Sequence, residues 1–175
     1  MSLSTGVDVK AWIDARPISR FQWKILFLCF VIIMLDGYDA AVMGFIAPAL
    51  LEDWGISRAA LGPILGAAMF GVALGALIAG PMADRYGRKR ILLASVALFA
   101  VFSLAAAMAQ TPTQLALLRF LTGLGLGAVM PNCVTLVAEY MPERRKGLMI
   151  TLMYSGFNVG SGLGGFIAAA LLSHY

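Results

Sequence analysis

The chain is 175 residues long, with 61% hydrophobic and 13% charged residues, 19 glycines and a formal net charge of +4. A water-soluble domain carries about 25% charged residues, so this composition excludes an ordinary soluble fold. The charges are bunched between long uncharged runs, which is the pattern of a polytopic membrane protein. The positive balance does not point to nucleic acid, because basic loops between membrane spans produce the same excess.

In chain order, residues 1–24 read as a cytoplasmic N-terminal segment. Within it, residues 5–16 are expected to form a short helix at the membrane interface, with Thr5 and Asp8 as a capping box and Trp12 and Ile13 resting on lipid. Pro17 separates that helix from the first span. Residues 25–172 read as a transmembrane helical bundle, an all-α membrane fold with spans at about 25–51, 59–83, 91–109, 114–140 and 147–172. Each is close to the ~20 apolar residues that cross a bilayer. The alternation of apolar and polar residues that marks barrel strands is absent. Gln110 to Thr113 reads as a tight polar turn. Cys29 and Cys133 lie inside apolar runs and read as small packed hydrophobes rather than a disulfide or a metal site.

Lys and Arg in the short loops orient the bundle. The N-terminal segment holds Lys10, Arg16, Arg20 and Lys24; the second connection holds Arg85, Arg88, Lys89 and Arg90; the fourth holds Arg144, Arg145 and Lys146. The opposite loops hold only Arg58. The N-terminus is therefore expected in the cytoplasm, with His174 and Tyr175 outside. Asp36 and Asp39 interrupt what would be the apolar region of a cleavable signal peptide, so none is expected.

Asp36 and Asp39 are the sharpest chemical feature. They share one helix face, and Asp36 lies about 18 Å past Lys24 along the axis, near mid-bilayer. A carboxylate at that depth costs at least ~2.5 kcal/mol on insertion scales, so the pair must face a bundle interior or a wet cavity. Burial and a like charge nearby both favour the neutral acid, and one of the two is expected to hold a proton at neutral pH. The plain alternative is a packing pair satisfied by neighbouring helices. An intramembrane aspartyl protease is disfavoured, because both acids lie on one helix and no Gly-x-Gly-Asp occurs on another.

Arg119, about 8 Å into the fourth span from the outside, either snorkels to the outer interface, balances Asp36 or Asp39, or offers its guanidinium to an anion. Tyr38, Asn132 and Asn158 are candidate substrate contacts, with interhelical hydrogen bonding equally open for the two amides. Gly71 and Gly75, Gly123 and Gly127, and Gly156, Gly160 and Gly164 recur at four-residue spacing and read as close helix contacts. No cofactor motif, metal-ligand spacing or nucleophile–base constellation is present, so neither an enzyme nor a cofactor is expected.

The second connection reads Gly80-Pro81-Met82-Ala83-Asp84-Arg85-Tyr86-Gly87-Arg88-Lys89-Arg90. A solvated basic loop would account for the cations but not for Gly80, Asp84 and Gly87 at these offsets. This stretch resembles the signature loop between the second and third spans of the major facilitator superfamily. Arg119-x-x-x-Gly123-x-Gly125-x-Gly127 resembles that superfamily's fourth-span signature. Asp36-Gly37-Tyr38-Asp39, Gly44-Phe45-Ile46-Ala47-Pro48, Arg119 to Gly123 leading to Pro131-Asn132, and Ser19 to Trp23 are similar to the aromatic acid:proton symporters.

The resemblance implies the N-terminal bundle of such a transporter, with five of six N-terminal helices present and the C-terminal half absent from these residues. It implies a multi-pass protein of a bacterial inner membrane that imports small aromatic carboxylates with protons, feeding aromatic-compound breakdown. Asp36, Asp39 and Arg119 would couple proton and substrate. Asp84, Arg88 and Glu139 would form a charge network in a cytoplasmic gating loop that also holds Gly80, Arg85, Gly87, Lys89 and Arg90. Two other functions stay open: transport of a different solute such as a sugar or drug, and a non-transporting assembly or sensor subunit.

Overall fold

The computed structural model describes residues 14 and 16–172, and their backbone is a bundle of long helices: α1 (Arg20–Trp54), α2 (Arg58–Tyr86), α3 (Arg88–Ala106), α4 (Pro112–Tyr140) and α5 (Lys146–Leu172). A short 3-10 turn, Glu143–Arg145, precedes α5. Of the interfacial helix expected at 5–16, residues 5–13 and 15 lie outside the described residues, as does His174. The chain is a multi-pass membrane protein. Among the described residues, α1 to α4 are each long and apolar enough to cross a bilayer, and α5 has 27 residues with no charged residue after Lys146.

Local chemistry sets the helix ends. Ser19 opens α1 by accepting from the Gln22 N–H while the Gln22 side chain accepts from the Ser19 N–H, a reciprocal capping box. The helix therefore starts at Arg20, below the apolar run expected from 25. Gly55 closes it in the left-handed conformation, with φ of 59°. The connection expected at Gln110 to Thr113 is five residues long and lies earlier, at 107–111, because α4 already begins at Pro112. Thr111 caps the helix by accepting from the Gln114 N–H, and Pro112 occupies the first helical turn, where its missing N–H costs nothing. The basic connection is shorter still. α2 and α3 are separated by Gly87 alone, whose φ of 93° no other residue adopts readily.

Short connections make successive helices antiparallel. α4 lies at the centre, packed against α2 on one side and α3 on the other, while α1 pairs with α5 and also touches α4. The small residues make these contacts possible. A side chain at Gly71, Gly75, Gly123 or Gly127 would strike the facing backbone of α2 or α4, and one at Gly160 would strike the Met34 carbonyl of α1. In lipid, such close approach supplies the dispersion and polar contact that replaces the hydrophobic effect. Ser161 of α5 adds a hydrogen bond, donating to the Gly37 carbonyl at 3.1 Å. Cys29 of α1 and Cys133 of α4 are free thiols fully buried in one apolar cluster with Ile33, Val129, Val137 and Met153.

The N-terminal segment, the α2–α3 junction and the α4–α5 corner meet at one end of the bundle, the end that the distribution of Lys and Arg assigns to the cytoplasm. Single cysteines at Ser57 and Thr111 are expected to react with an impermeant thiol reagent from outside the cell. Replacements of Tyr86 and Glu143 are expected to react only after permeabilisation.

Candidate functional site

α1, α3 and α4 bring three polar side chains together in an apolar setting. Arg119 of α4 is 7% exposed and donates from Nη1 to Asp39 Oδ2 of α1 at 2.7 Å. The Ser103 hydroxyl of α3 donates to the other oxygen of the same carboxylate, Oδ1, at 3.0 Å. Both side chains of the ion pair are about nine-tenths buried. The alternative that Arg119 snorkels to the outer interface is overturned, because its guanidinium turns inward to a carboxylate instead. Its Nε is buried without a hydrogen-bond partner among the described residues.

A buried ion pair is weak evidence for stability, since desolvating both charges can cost more than their attraction returns. It is better evidence for a site, because an ionisable residue inside a span marks a pathway for ions or substrate. The pair forms part of the wall of a cleft of about 430 Å³ lined otherwise by Leu35, Tyr38, Val42, Ile46, Phe99 and Leu104, among other apolar groups. An apolar concavity of this volume with a few convergent polar atoms is the usual form of a small-molecule site. Its lining from Ile46, Ala106, Ala107 and Leu115 places it in the outer half of the bundle.

Asp36, one helical turn further toward the cytoplasm, is half-buried and makes no hydrogen bond or ion pair among the described residues. Tyr38 lies between the cleft and α5, where its backbone packs on Gly160 and its ring on Gly164. The two candidate amides lie elsewhere. Asn132 is 3% exposed and its side-chain amide donates to the Ala128 carbonyl of its own helix at 2.7 Å. Asn158 is exposed on α5, away from the cleft lining.

Ser103 is a site residue that sequence reasoning misses. A signal for it exists, because Ser95 and Ser103 are the hydroxyl residues of an otherwise apolar third span, and two helical turns put them on one face. Removing a donor from a buried carboxylate costs about 1–3 kcal/mol. Ser103→Ala is therefore expected to lower the thermal midpoint of the folded protein, and Ser103→Thr, which keeps the hydroxyl, to lower it less.

The cytoplasmic end carries a second constellation. Arg88, the first residue of α3, reaches Asp84 Oδ1 at 3.3 Å across the Gly87 break and Glu139 Oε1 of α4 at 3.0 Å. A cleft of about 640 Å³ lies beside it, lined by Asp84, Tyr86, Gly87, Arg88, Lys89, Arg90, Glu139 and Tyr140, among others. Asp84 is 71% exposed and Glu139 is 51% exposed. Exposed pairs of this kind contribute only about 0–1 kcal/mol each, so their value lies in placement. Arg85 stacks its guanidinium over the Tyr86 ring at 5.4 Å. Gly80 has open space above it, and none of the described residues requires its smallness.

Comparison with known proteins returns a consistent set. The family description "Major Facilitator Superfamily" matches residues 28–175. A gallate transporter of Pseudomonas putida is 61% identical over 97% of this chain and 38% of its own length. The 4-hydroxybenzoate transporter PcaK of Pseudomonas aeruginosa is 58% identical over 95% of this chain and 37% of its own length. A benzoate transport protein of Acinetobacter baylyi is 35% identical over 99% of this chain and 38% of its own length. The chain thus spans well under half the length of the curated relatives it matches.

Proposed function

The chain belongs to the Major Facilitator Superfamily, and we propose that it provides the N-terminal helices of a proton-coupled symporter importing small aromatic carboxylates across a bacterial inner membrane. The observation that carries this reading is the buried Asp39–Arg119 pair in the wall of an apolar cleft. The substrate class comes from relatives named for the transport of gallate, 4-hydroxybenzoate and benzoate.

The geometry supports a simple coupling scheme. With Asp39 ionised, Arg119 is neutralised within the protein, and an incoming carboxylate meets no free cation in the wall. A proton on Asp39 removes the carboxylate charge that holds Arg119 and releases its fork. The planar guanidinium then holds the substrate carboxylate through two parallel N–H···O bonds, and the ring lies against Leu35, Val42, Phe99 and Leu104. Asp36, one turn toward the cytoplasm and without a hydrogen-bond or ion-pair partner among the described residues, is the relay by which the proton leaves Asp39 for the cytoplasmic side. A transporter of this type alternates access by rocking one helical bundle against another, so the remaining helices of the full-length protein supply the other wall. The Asp84–Arg88–Glu139 network serves as the lock of the cytoplasmic gate.

The test is uptake into proteoliposomes containing the full-length protein. Labelled 4-hydroxybenzoate is expected to accumulate only under an inward-directed proton gradient, with unlabelled benzoate and gallate competing and sugars or lipophilic cations without effect. Accumulation that is indifferent to the proton gradient, or competition by an unrelated solute, would overturn the reading.

A further inference from the structure

The residues just before α1 and those joining α4 to α5 are far apart in sequence but fastened together at the cytoplasmic end. The last carbonyls of a helix have no partner within it. At α4 the Tyr140 carbonyl is satisfied by the Gln22 side chain, whose Nε2 donates to it at 2.6 Å. The same side chain uses its oxygen, Oε1, to accept from the Ser19 N–H at 2.7 Å. One amide thus caps the start of α1 and the end of α4 together, which requires both its donor and its acceptor.

Three further contacts hold the same junction. Asp14 Oδ1 accepts from the Glu143 N–H at 2.7 Å, supplying the cap that Pro142 lacks for the 3-10 turn. Arg144 donates from Nη2 to the Arg16 carbonyl at 3.4 Å. The Phe21 ring meets Tyr140 edge-on with centroids 5.7 Å apart. Beneath them Met141 and Pro142 are buried, and Ile18 packs on the cluster that contains Met141. Glu139, which binds Arg88, immediately precedes Tyr140.

We propose that Asp14 and residues 16–22 form a clasp that positions the cytoplasmic end of α4, with Gln22 acting through Tyr140 on Glu139 and hence on the Arg88 ion pair. Its effect on transport rests on the proposed role of that pair as the cytoplasmic lock; its effect on the corner does not. Gln22 is a positioning residue. It touches neither the cleft in the outer half nor Arg88.

Gln22→Glu separates positioning from helix capping, because a glutamate still accepts from the Ser19 N–H but presents no donor to the Tyr140 carbonyl. In the full-length protein, spin labels replace Leu93 of α3 and Leu148 of α5, both exposed on the outside of the bundle, and rates are measured for Gln22→Glu, Glu139→Gln and the double variant. Gln22→Glu is expected to broaden the Leu93–Leu148 distance distribution and to slow transport several-fold at unchanged KM. The double variant is expected to be no slower than Glu139→Gln alone, since two residues acting on one contact are not additive. Asp14→Ala is expected to broaden the distribution as well, and Asp14→Asn, which keeps the acceptor oxygen, to restore it. An unchanged distribution in Gln22→Glu, or rate effects that multiply in the double variant, would overturn the clasp. A wild-type rate for Glu139→Gln would instead remove the lock, leaving the distance measurement to decide the clasp by itself.

Discussion

Asp39→Asn in the full-length transporter is expected to abolish accumulation of substrate against its gradient while leaving exchange of substrate for substrate measurable. Asparagine keeps the shape of aspartate and still offers an oxygen to Arg119, but it cannot gain or lose the proton. It therefore mimics the protonated state permanently: Arg119 stays available to the substrate carboxylate, and the link to the proton gradient is cut. Arg119→Gln is expected to abolish both accumulation and exchange, because the substrate loses its anchor. It also leaves the Asp39 carboxylate, whose side chain is 12% exposed, without its cation. Removing one member of a buried pair costs about 3–5 kcal/mol, much of it from the charge left behind. The Asp39→Asn/Arg119→Gln double variant is accordingly expected to unfold at a higher temperature than Arg119→Gln alone, while remaining inactive. Counterflow and gradient-driven uptake in the same vesicles, with thermal unfolding of the purified proteins, measure all three effects. Wild-type accumulation by Asp39→Asn would reduce the pair to a packing element.

Gly127→Val is expected to prevent assembly of the bundle. A Cβ at Gly127 would run into the Val72 carbonyl and lie 2.7 Å from the Ala76 nitrogen, both of them backbone atoms of α2. Overpacking a core against movable side chains already costs about 1–3 kcal/mol. Here the obstacle is a helix backbone that cannot rotate away, and the α2–α4 contact is made of several such approaches in series. Gly80→Ala is the contrasting change, since nothing lies within 4 Å of a Cβ placed there. It is expected to leave the yield of monodisperse protein unchanged, as read by size-exclusion chromatography, whereas Gly127→Val lowers it by an order of magnitude or more.

The contrast between these glycines marks where sequence reading succeeds. Four-residue spacing of small residues identifies the close contacts of α2, α4 and α5, because that spacing arises from helix geometry and needs no knowledge of the partner. Membrane class and the clustering of basic loops at one end are legible for the same reason, being properties of single segments. Both residues of the central ion pair are also candidates on sequence grounds, but the choice of acid by Arg119 is not. Asp36 and Asp39 differ by less than one turn, and only the rotation of α1 against α4 decides between them.

What escapes the sequence is what depends on pairing between distant segments. Ser103 is one hydroxyl in an apolar span until α3 is set beside α1. Gln22 completes a capping box with Ser19, and nothing local reveals that its amide nitrogen continues to Tyr140. Asn132 is attractive as an intramembrane amide, yet its donor satisfies a carbonyl on its own helix. The polar turn expected at Gln110 to Thr113 holds for Gln110 and Thr111, whereas Pro112 and Thr113 open α4, because proline and threonine serve helix starts as readily as turns.

In the proposed coupling scheme Asp39 takes up a proton as Arg119 passes to the substrate carboxylate. Infrared difference spectroscopy on the full-length protein tests it directly, by recording the change when a saturating aromatic carboxylate is added at neutral pH. Substrate is expected to produce the carbonyl stretch of a newly protonated carboxylic acid, shifted in deuterium oxide, absent in Asp39→Asn and still present in Glu139→Gln. A difference spectrum without that band, or one in which the band persists in Asp39→Asn, would contradict it.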